Sequence, residues 1–143
     1  PHPVRPFPVE GLRIESNYGL FWSLAFGMRA RTFESLGGFD EAFTGYGAED
    51  TDFGFRTEQA DIPLLFLGGA CAFHQHHATY DPPLQHFDDI IRNARTFYGR
   101  WRRWPMDGWL RAFSERGLVS WSEDRLEILR RPLASEVADT LVA

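Results

Sequence analysis

The sequence predicts a mixed α/β (α+β) fold, and two kinds of pattern lead to that prediction. Nearly continuous apolar runs, typical of buried strands, occur at residues 19–28, 62–67 and 70–73. Apolar residues at helical spacing, bounded by glycine or proline, occur at 29–36, 49–59, 84–98 and 105–117. A length of 143 residues suits one domain with a core of its own.

The first elements follow from local chemistry. Four prolines within the first eight residues exclude helix and central strand, so we expect residues 1–16 to form a linker or arm. The run 19–28 predicts a strand buried on both faces of a mixed sheet. A short helix over 29–36 should end at the glycine pair that follows it.

The later elements are predicted in the same way. A second helix should run from Ala48 or Glu49 to Gln59, because carboxylates in its first turn favour the helix dipole. Two strands, 62–67 and 70–73, should precede a helix over 84–98 and another that Pro105 opens and Gly117 ends. Residues 120–129 are polar-rich, and 133–142 suit a terminal helix.

Composition narrows the class of function. The net charge of −5 argues against nucleic acid, because phosphate contacts need clustered Lys and Arg. Cys71 is the single cysteine of the sequence, which excludes a disulfide framework and favours a reducing compartment. No apolar run reaches the length of a membrane span. We therefore expect a cytoplasmic location, or a peripheral one at the inner membrane face.

The segment Gly45–Asp52 is the first candidate site. Its glycines bracket Tyr46, which lets the backbone approach a ligand and leaves the ring free to move. Glu49, Asp50 and Asp52 are more carboxylates than a helix start needs, and one could deprotonate an alcohol as a general base. Acidic groups at a helix start should ionise easily, which suits a base. The alternative is a plain acidic cap after a glycine-rich turn.

A histidine cluster is the second candidate site. His74 and His76 lie near a predicted strand end, where alternation puts both on one side, about 7 Å apart. Imidazole is a common metal ligand, but a metal site requires three or four ligands. Solvent-facing histidines in a loop are the alternative, and a metal-dependent hydrolase that uses both is a further one.

Taken in order, these features resemble the C-terminal half of GT-A glycosyltransferases. The pattern is an apolar strand, a Gly-Phe-Asp element at Gly38-Phe39-Asp40, the segment Gly45–Asp52, and a histidine about two dozen residues later. It is shared by the galactosyltransferase catalytic domain, the polypeptide N-acetylgalactosaminyltransferases and many bacterial family-two enzymes. The resemblance covers residues 17–77. It implies half of a GT-A mixed sheet flanked by helices and followed by a helical tail.

The resemblance also assigns residues to roles. Asp50 matches the catalytic base, and Glu49 matches the acidic neighbour that contacts the acceptor sugar. The other implied substrate-binding residues are Tyr46 and Gly47 on a mobile acceptor loop, Asp52, and Trp22 and Ser23 on the floor of the sugar pocket. Ala48 replaces a frequent glycine. His74 or His76, with His74 preferred, would complete the shell of a divalent cation, Mn²⁺ or Mg²⁺.

The implied reaction is inverting transfer of a sugar from a nucleotide-sugar donor to a carbohydrate or other hydroxyl acceptor. Asp50-Thr51-Asp52 spells Asp-x-Asp, yet it stands where the base belongs, so we reject it as the metal motif. We therefore expect an incomplete enzyme, whose partner is a nucleotide-binding N-terminal half or a second copy. The expected organisation is an arm over 1–16, a catalytic segment over 17–80 and a helical extension over 81–143. A non-catalytic carbohydrate-binding module is the alternative.

Overall fold

The computed structural model describes residues 5–70, 72–73, 75 and 77–142. Within these ranges it contains five α-helices: α1 Ala30–Ser35, α2 Glu49–Gln59, α3 Phe87–Trp101, α4 Asp107–Glu115 and α5 Ala134–Ala138. The strands of the same ranges are β1 Gly11–Glu15, β2 Leu64–Gly68, β3 Thr79–Tyr80, β4 Val119–Trp121, β5 Leu126–Ile128 and β6 Leu141–Val142. The predicted α+β class is confirmed.

The strands form three antiparallel pairs, β1 with β2, β3 with β6 and β4 with β5. In the described part of the chain, each pair is a separate two-stranded sheet, so the single mixed sheet that we expected is not formed there. The observed strands are short, from the two-residue β3 to the five-residue β1, and each pairs with one other strand.

The chain divides into two compact units. The first unit comprises Pro1–Asp40 and Glu49–His74, and the second comprises Glu41–Ala48 and Gln75–Ala143. The division falls inside the candidate segment Gly45–Asp52, so its glycine-rich part and its acidic part belong to different units. The expected limits at residues 16 and 80 stay predictions.

In the first unit, β1 and β2 pair along their whole length, with Gly11 opposite Gly68 and Glu15 opposite Leu64. The stretch that we expected to be an arm therefore includes a strand. One face of this ribbon is apolar and exposed, and it carries Leu12, Ile14, Leu65 and Leu67. On the other face Phe66 is buried beneath Phe7, whose ring stacks on it with centroids 4.6 Å apart.

The predicted strand over 19–28 is wrong. Tyr18–Leu20 form a short 3₁₀ helix instead, and the Asn17 side chain accepts a hydrogen bond from the Gly19 N–H at 3.1 Å. The apolar side chains that follow pack on α2, with the rings of Phe21 and Phe53 5.4 Å apart. A continuous apolar run indicates burial, and here aromatic packing provides that burial without a strand ladder.

Helices α1 and α2 lie where the sequence predicted them. Helix α2 begins at Glu49 and ends at Gln59, with Glu49, Asp50 and Asp52 in its first turn. The second apolar segment, 62–67, does contain a strand, β2. The predicted strand over 70–73 is wrong for its described residues, since they are irregular and Phe73 is 98% exposed; Cys71 lies outside the described residues.

The second unit has its own core between α3, α4 and the β4–β5 hairpin. Ile90, Leu110 and Phe113 are fully buried in it. Both helices were predicted, although α4 starts at Asp107, two residues after Pro105. The polar-rich stretch 120–129 supplies much of the hairpin, and the predicted terminal helix is reduced to α5 because β6 pairs with β3.

Gly54 lets α2 approach the 3₁₀ helix closely. A Cβ atom at this position would lie 2.5 Å from the carbonyl oxygen of Tyr18, a backbone atom that cannot move aside easily. We expect Gly54→Ala to lower the free energy of unfolding by about 1–3 kcal/mol. Gly99 is the matched control, because it is an exposed residue of α3 and a Cβ there meets nothing within 4 Å. Gly99→Ala should raise stability by about 0.5–1 kcal/mol, and equal effects of both changes in urea denaturation would contradict the packing argument.

Candidate functional site

Asp50 lies in the first turn of α2 and is half-buried. Its Oδ1 atom accepts a hydrogen bond from the Thr51 N–H at 2.7 Å, and the Thr51 hydroxyl lies 3.4 Å from the same atom. The Ser23 N–H also donates to this carboxylate. Burial raises the pKa of Asp50 above its ordinary value, and these hydrogen bonds offset only part of the rise. The expectation that Asp50 ionises easily is therefore wrong, because burial outweighs the helix start.

Trp22 and Ser23, which the resemblance assigned to the sugar pocket, lie at Asp50. Ser23 reaches it through its backbone N–H, and the carbonyl oxygen of Trp22 accepts a hydrogen bond from Arg5 Nη1 at 2.9 Å. The Arg5 guanidinium lies 4.7 Å from the centroid of the Trp22 ring. Burial lowers the pKa of Arg5, and the negative charge of Asp50 acts in the opposite direction. This part of the predicted site is brought together by the fold.

Arg5 was not predicted from the sequence. It lies among prolines and 45 positions before Asp50 (50 − 5 = 45), so no local pattern connects the two residues. Arg5 comes near Asp50 because the N-terminal stretch folds back onto Trp22 and β2, where Phe7 stacks on Phe66.

Asp52 has a different environment from Asp50. It is fully buried, and its Oδ2 atom accepts a hydrogen bond from Arg56 Nε at 2.9 Å. The same guanidinium donates to the carbonyl oxygens of Leu36 at 2.6 Å and Gly38 at 2.8 Å. The Asp52–Arg56 pair thus joins α2 to the end of α1. Its carboxylate faces the interior, and its predicted substrate contact stays a prediction.

Glu49 is the first residue of α2 and is half-buried. It directly follows Ala48, which is buried and has a φ of 76°, in the left-handed region. Glycine adopts this conformation more easily than alanine does. The backbone therefore accounts for the glycine that the resemblance implied at position 48.

The glycine-rich segment 41–48 is anchored within the second unit by Asn93. Asn93 is 1% exposed, and its Nδ2 group donates to the carbonyl oxygens of Thr44, Tyr46 and Gly47 at 3.0, 3.2 and 2.9 Å. Arg92 donates to the Thr44 carbonyl as well, at 2.7 Å. A loop whose backbone is held at three carbonyl groups by one buried side chain has little freedom, so the expected mobile loop is a docked one in this structure.

The Tyr46 ring is also held. It stacks on His86, with centroids 4.2 Å apart and planes 8° from parallel, and lies 5.7 Å from the Trp109 ring. Gly47 has a φ of 94°, and a Cβ atom there would lie 2.6 Å from Met106 Sδ. The expected free movement of the ring is therefore not supported. Sequence reasoning missed both His86 and Asn93, because they follow Tyr46 by 40 positions or more and no local pattern connects them to it.

Asn93 offers a direct test of this anchor. We expect Asn93→Ala to lower the free energy of unfolding by about 2–4 kcal/mol, because three carbonyl groups lose a buried donor. Hydrogen exchange should become faster at the amides of residues 41–48. The control is Thr96→Ala on the same helix, whose hydroxyl bonds to the Arg92 carbonyl at 3.1 Å; it should change stability by less than about 0.5 kcal/mol. Unchanged exchange in the Asn93 variant would contradict the anchor.

The predicted metal ligands, His74 and His76, lie outside the described residues. Among the residues that the structure does describe, no three His, Cys, Asp or Glu side chains gather as a metal site would require. The described neighbour His77 contacts the carbonyl oxygen of Ala78 through Nδ1, at 2.9 Å. The cation and its histidine ligand stay predictions. In the described part of the chain, no helix is long and apolar enough to cross a bilayer.

Comparison with known proteins defines the class of one stretch of the chain. Residues 8–78 match the family model described as the N-terminal domain of galactosyltransferase. This stretch, which includes β1, α1, α2 and β2, is thus a galactosyltransferase-family domain and belongs among the glycosyltransferases. The family description names an N-terminal domain, whereas we predicted the C-terminal half of an enzyme. The position of this segment in a complete enzyme therefore stays a prediction.

Two curated relatives match a shorter part of the chain. One is validoxylamine A glucosyltransferase of Streptomyces hygroscopicus subsp. jinggangensis (strain 5008), 46% identical over 44 residues. The other is the protein of the same name from Streptomyces hygroscopicus subsp. limoneus, with the same identity and length. Each match covers 31% of this chain and 10% of the relative. The chain thus spans about a tenth of these relatives, and no solved structure matches it.

Proposed function

We propose that this chain supplies the acceptor side of an inverting glycosyltransferase, with Asp50 as the catalytic base. One observation carries the proposal: the half-buried Asp50 carboxylate, held by Ser23 and Thr51, lies within the stretch that matches the galactosyltransferase family. Burial raises its pKa toward the range in which a carboxylate accepts a proton effectively. An acidic residue that only caps the helix at the surface would not combine burial with hydrogen bonds from two separate segments.

In the proposed reaction, the acceptor hydroxyl transfers its proton to Asp50 while its oxygen attacks the anomeric carbon of the donor sugar. The bond between that carbon and the donor phosphate breaks, and the nucleoside diphosphate leaves with the bonding electrons. The oxygen attacks from the face opposite the leaving group, so the anomeric configuration is inverted. The Ser23 and Thr51 donors keep the Asp50 carboxylate in one orientation as the proton arrives.

The other predicted residues take roles that match their positions. Glu49, Trp22 and Ser23 surround or adjoin Asp50 in the first unit, and we propose that they contact the acceptor sugar. Tyr46 and Gly47 belong to the docked segment of the second unit, and the substrate contact that the resemblance assigned to them stays a prediction. For Asp52 we propose a structural role through Arg56 in place of the substrate contact that the sequence suggested.

The divalent cation remains part of the proposal, with His74 or His76 as its ligand from this chain. Imidazole is a common metal ligand, and a bound cation would neutralise the charge of the departing diphosphate. The proposed donor is a nucleotide sugar, and the proposed partner is a nucleotide-binding half or a second copy. The exposed apolar face of the β1–β2 ribbon supports a partner, because four aliphatic side chains there lie open to water.

The pKa of Asp50 predicts the pH dependence of transfer. A protonated Asp50 cannot accept the acceptor proton, so kcat/KM should rise with pH through the Asp50 pKa. Because burial raises that pKa above 3.8, the midpoint of the acid limb should lie above the ordinary aspartate value. The stability effect has the opposite sign, since the folded state binds the proton more tightly than the unfolded state does. The contribution of Asp50 to stability is therefore present at low pH and is lost as pH rises through the folded pKa.

The proposed function is tested by measuring release of nucleoside diphosphate from a panel of nucleotide sugars by the enzyme that contains this chain. We expect release that depends on an added hydroxyl acceptor, with a product of inverted anomeric configuration by NMR. If the protein binds sugars but transfers none with any nucleotide sugar or divalent cation tested, the carbohydrate-binding alternative is favoured. Retention of configuration would contradict the single-displacement mechanism.

A further inference from the structure

The peptide group between Trp22 and Ser23 contacts two opposite charges. Its carbonyl oxygen accepts a hydrogen bond from Arg5 Nη1 at 2.9 Å, and its N–H donates to the Asp50 carboxylate. In a trans peptide the C=O and N–H groups point in opposite directions, so the cation and the anion occupy the two ends of one dipole. A hydrogen bond to the oxygen polarises the group and strengthens the bond that its N–H donates.

Arg5 is fixed at this peptide by aromatic side chains. Its guanidinium lies 4.7 Å from the Trp22 ring centroid and 5.3 Å from that of Phe7. Phe7 in turn stacks on the buried Phe66 of β2. Arg5 Nε is buried without a hydrogen-bond partner within the described part of the chain. The fold therefore holds a cation here although burial disfavours its charge, and Asp50 lies near enough to offset part of that cost.

The groups around Asp50 come from three segments of the first unit. The N-terminal stretch contributes Arg5, the segment after the 3₁₀ helix contributes the Ser23 N–H, and α2 contributes the Thr51 N–H and hydroxyl. Glu49 precedes Asp50 in the same helical turn. Arg5 is the positive charge in this set, so it favours the ionised carboxylate against burial.

We propose that Arg5 is a positioning residue for Asp50: through the Trp22–Ser23 peptide it orients the carboxylate and stabilises its ionised form. The proposal rests on the proposed role of Asp50 as base. Arg5 lies before the family match, which begins at residue 8, so the match itself does not include this residue. The stretch that the sequence suggested to be a linker or arm thereby becomes part of the candidate site.

The experiment is an NMR titration of the Asp50 carboxyl group in the 143-residue chain. We expect Arg5→Gln to move the Asp50 midpoint upward by at least about half a pH unit, because the carboxylate loses its nearby cation. Arg31→Gln is the control, since Arg31 is exposed on α1 and its loss changes the net charge equally. Arg5→Lys, which keeps the charge, should move the midpoint less than Arg5→Gln does.

An unchanged midpoint in folded Arg5→Gln overturns the proposal, as does an equal shift in Arg31→Gln. A second measurement needs no variant. In the unaltered chain, the chemical shift of the Ser23 amide proton should change with pH at the same midpoint as Asp50. A Ser23 shift that stays constant overturns the proposed role of the Trp22–Ser23 peptide. Both measurements follow a carboxyl group and not turnover. Absence of transferase activity would therefore refute the proposed function, whereas the NMR titrations of Asp50 and Ser23 would still test the role of Arg5.

Discussion

Asp50→Asn is expected to abolish sugar transfer while leaving the affinity for the nucleotide sugar nearly intact. The amide keeps the shape of the carboxylate, and its oxygen can still accept the Thr51 hydrogen bond, but it cannot take a proton from the acceptor. Loss of a positioned general base corresponds to a fall in kcat of about 100- to 10,000-fold. The measurement is steady-state kinetics with saturating acceptor, together with donor binding by calorimetry.

The control for this variant is Asp61→Asn. Asp61 is exposed just beyond α2 and has a φ of 54°, a conformation that asparagine tolerates. The Asp61→Asn substitution removes one carboxylate from the same region and leaves Asp50 unchanged, so transfer should continue at the normal rate. Normal turnover in Asp50→Asn would refute the base assignment, and loss of donor binding would indicate that Asp50 acts on the donor.

Asp52→Ala is expected to give the largest loss of stability among changes in the candidate segment. The substitution leaves the Arg56 guanidinium, which is 18% exposed, without its buried anionic partner. Removal of one partner from a buried ion pair typically costs about 3–5 kcal/mol. The Arg56 bonds to Leu36 and Gly38 should weaken with it, since Asp52 orients the guanidinium. Urea denaturation measures the change as a lower midpoint at an unchanged slope.

Glu58→Ala provides the comparison for Asp52, because Glu58 is an exposed carboxylate on the same helix. It should change stability by less than about 0.5 kcal/mol. If Asp52→Ala instead kept normal stability and lost acceptor affinity, the substrate contact suggested by the sequence would be right and the structural role wrong.

The helices were predictable because local signals define them. Helix α2 has carboxylates at its start, and α3 has apolar residues at helical spacing, so neither needed knowledge of the rest of the fold. The run 19–28 misled because apolar character indicates burial but not the geometry of the buried backbone. Its aromatic side chains pack on α2, and a strand ladder has no partner there within the described residues.

The site was predictable in part for the same reason. Asp50 was predicted to be the catalytic base from its position in the segment Gly45–Asp52. In the structure, the Trp22–Ser23 peptide lies beside it. Arg5 and Asn93 escaped prediction because each acts across more than 40 residues of sequence, on Asp50 and on the segment 41–48 respectively. The pKa of Asp50 also escaped, because a helix start is visible in sequence and burial is not.

The proposal that Asp50 is the catalytic base is tested most directly by comparing two midpoints in the same enzyme. One is the pH midpoint of the acid limb of kcat/KM, and the other is the midpoint of the Asp50 carboxyl titration by NMR. We predict that the two coincide and lie above the ordinary aspartate value, because burial raises the pKa of this group. A transfer rate that stays constant while Asp50 titrates would contradict the proposal.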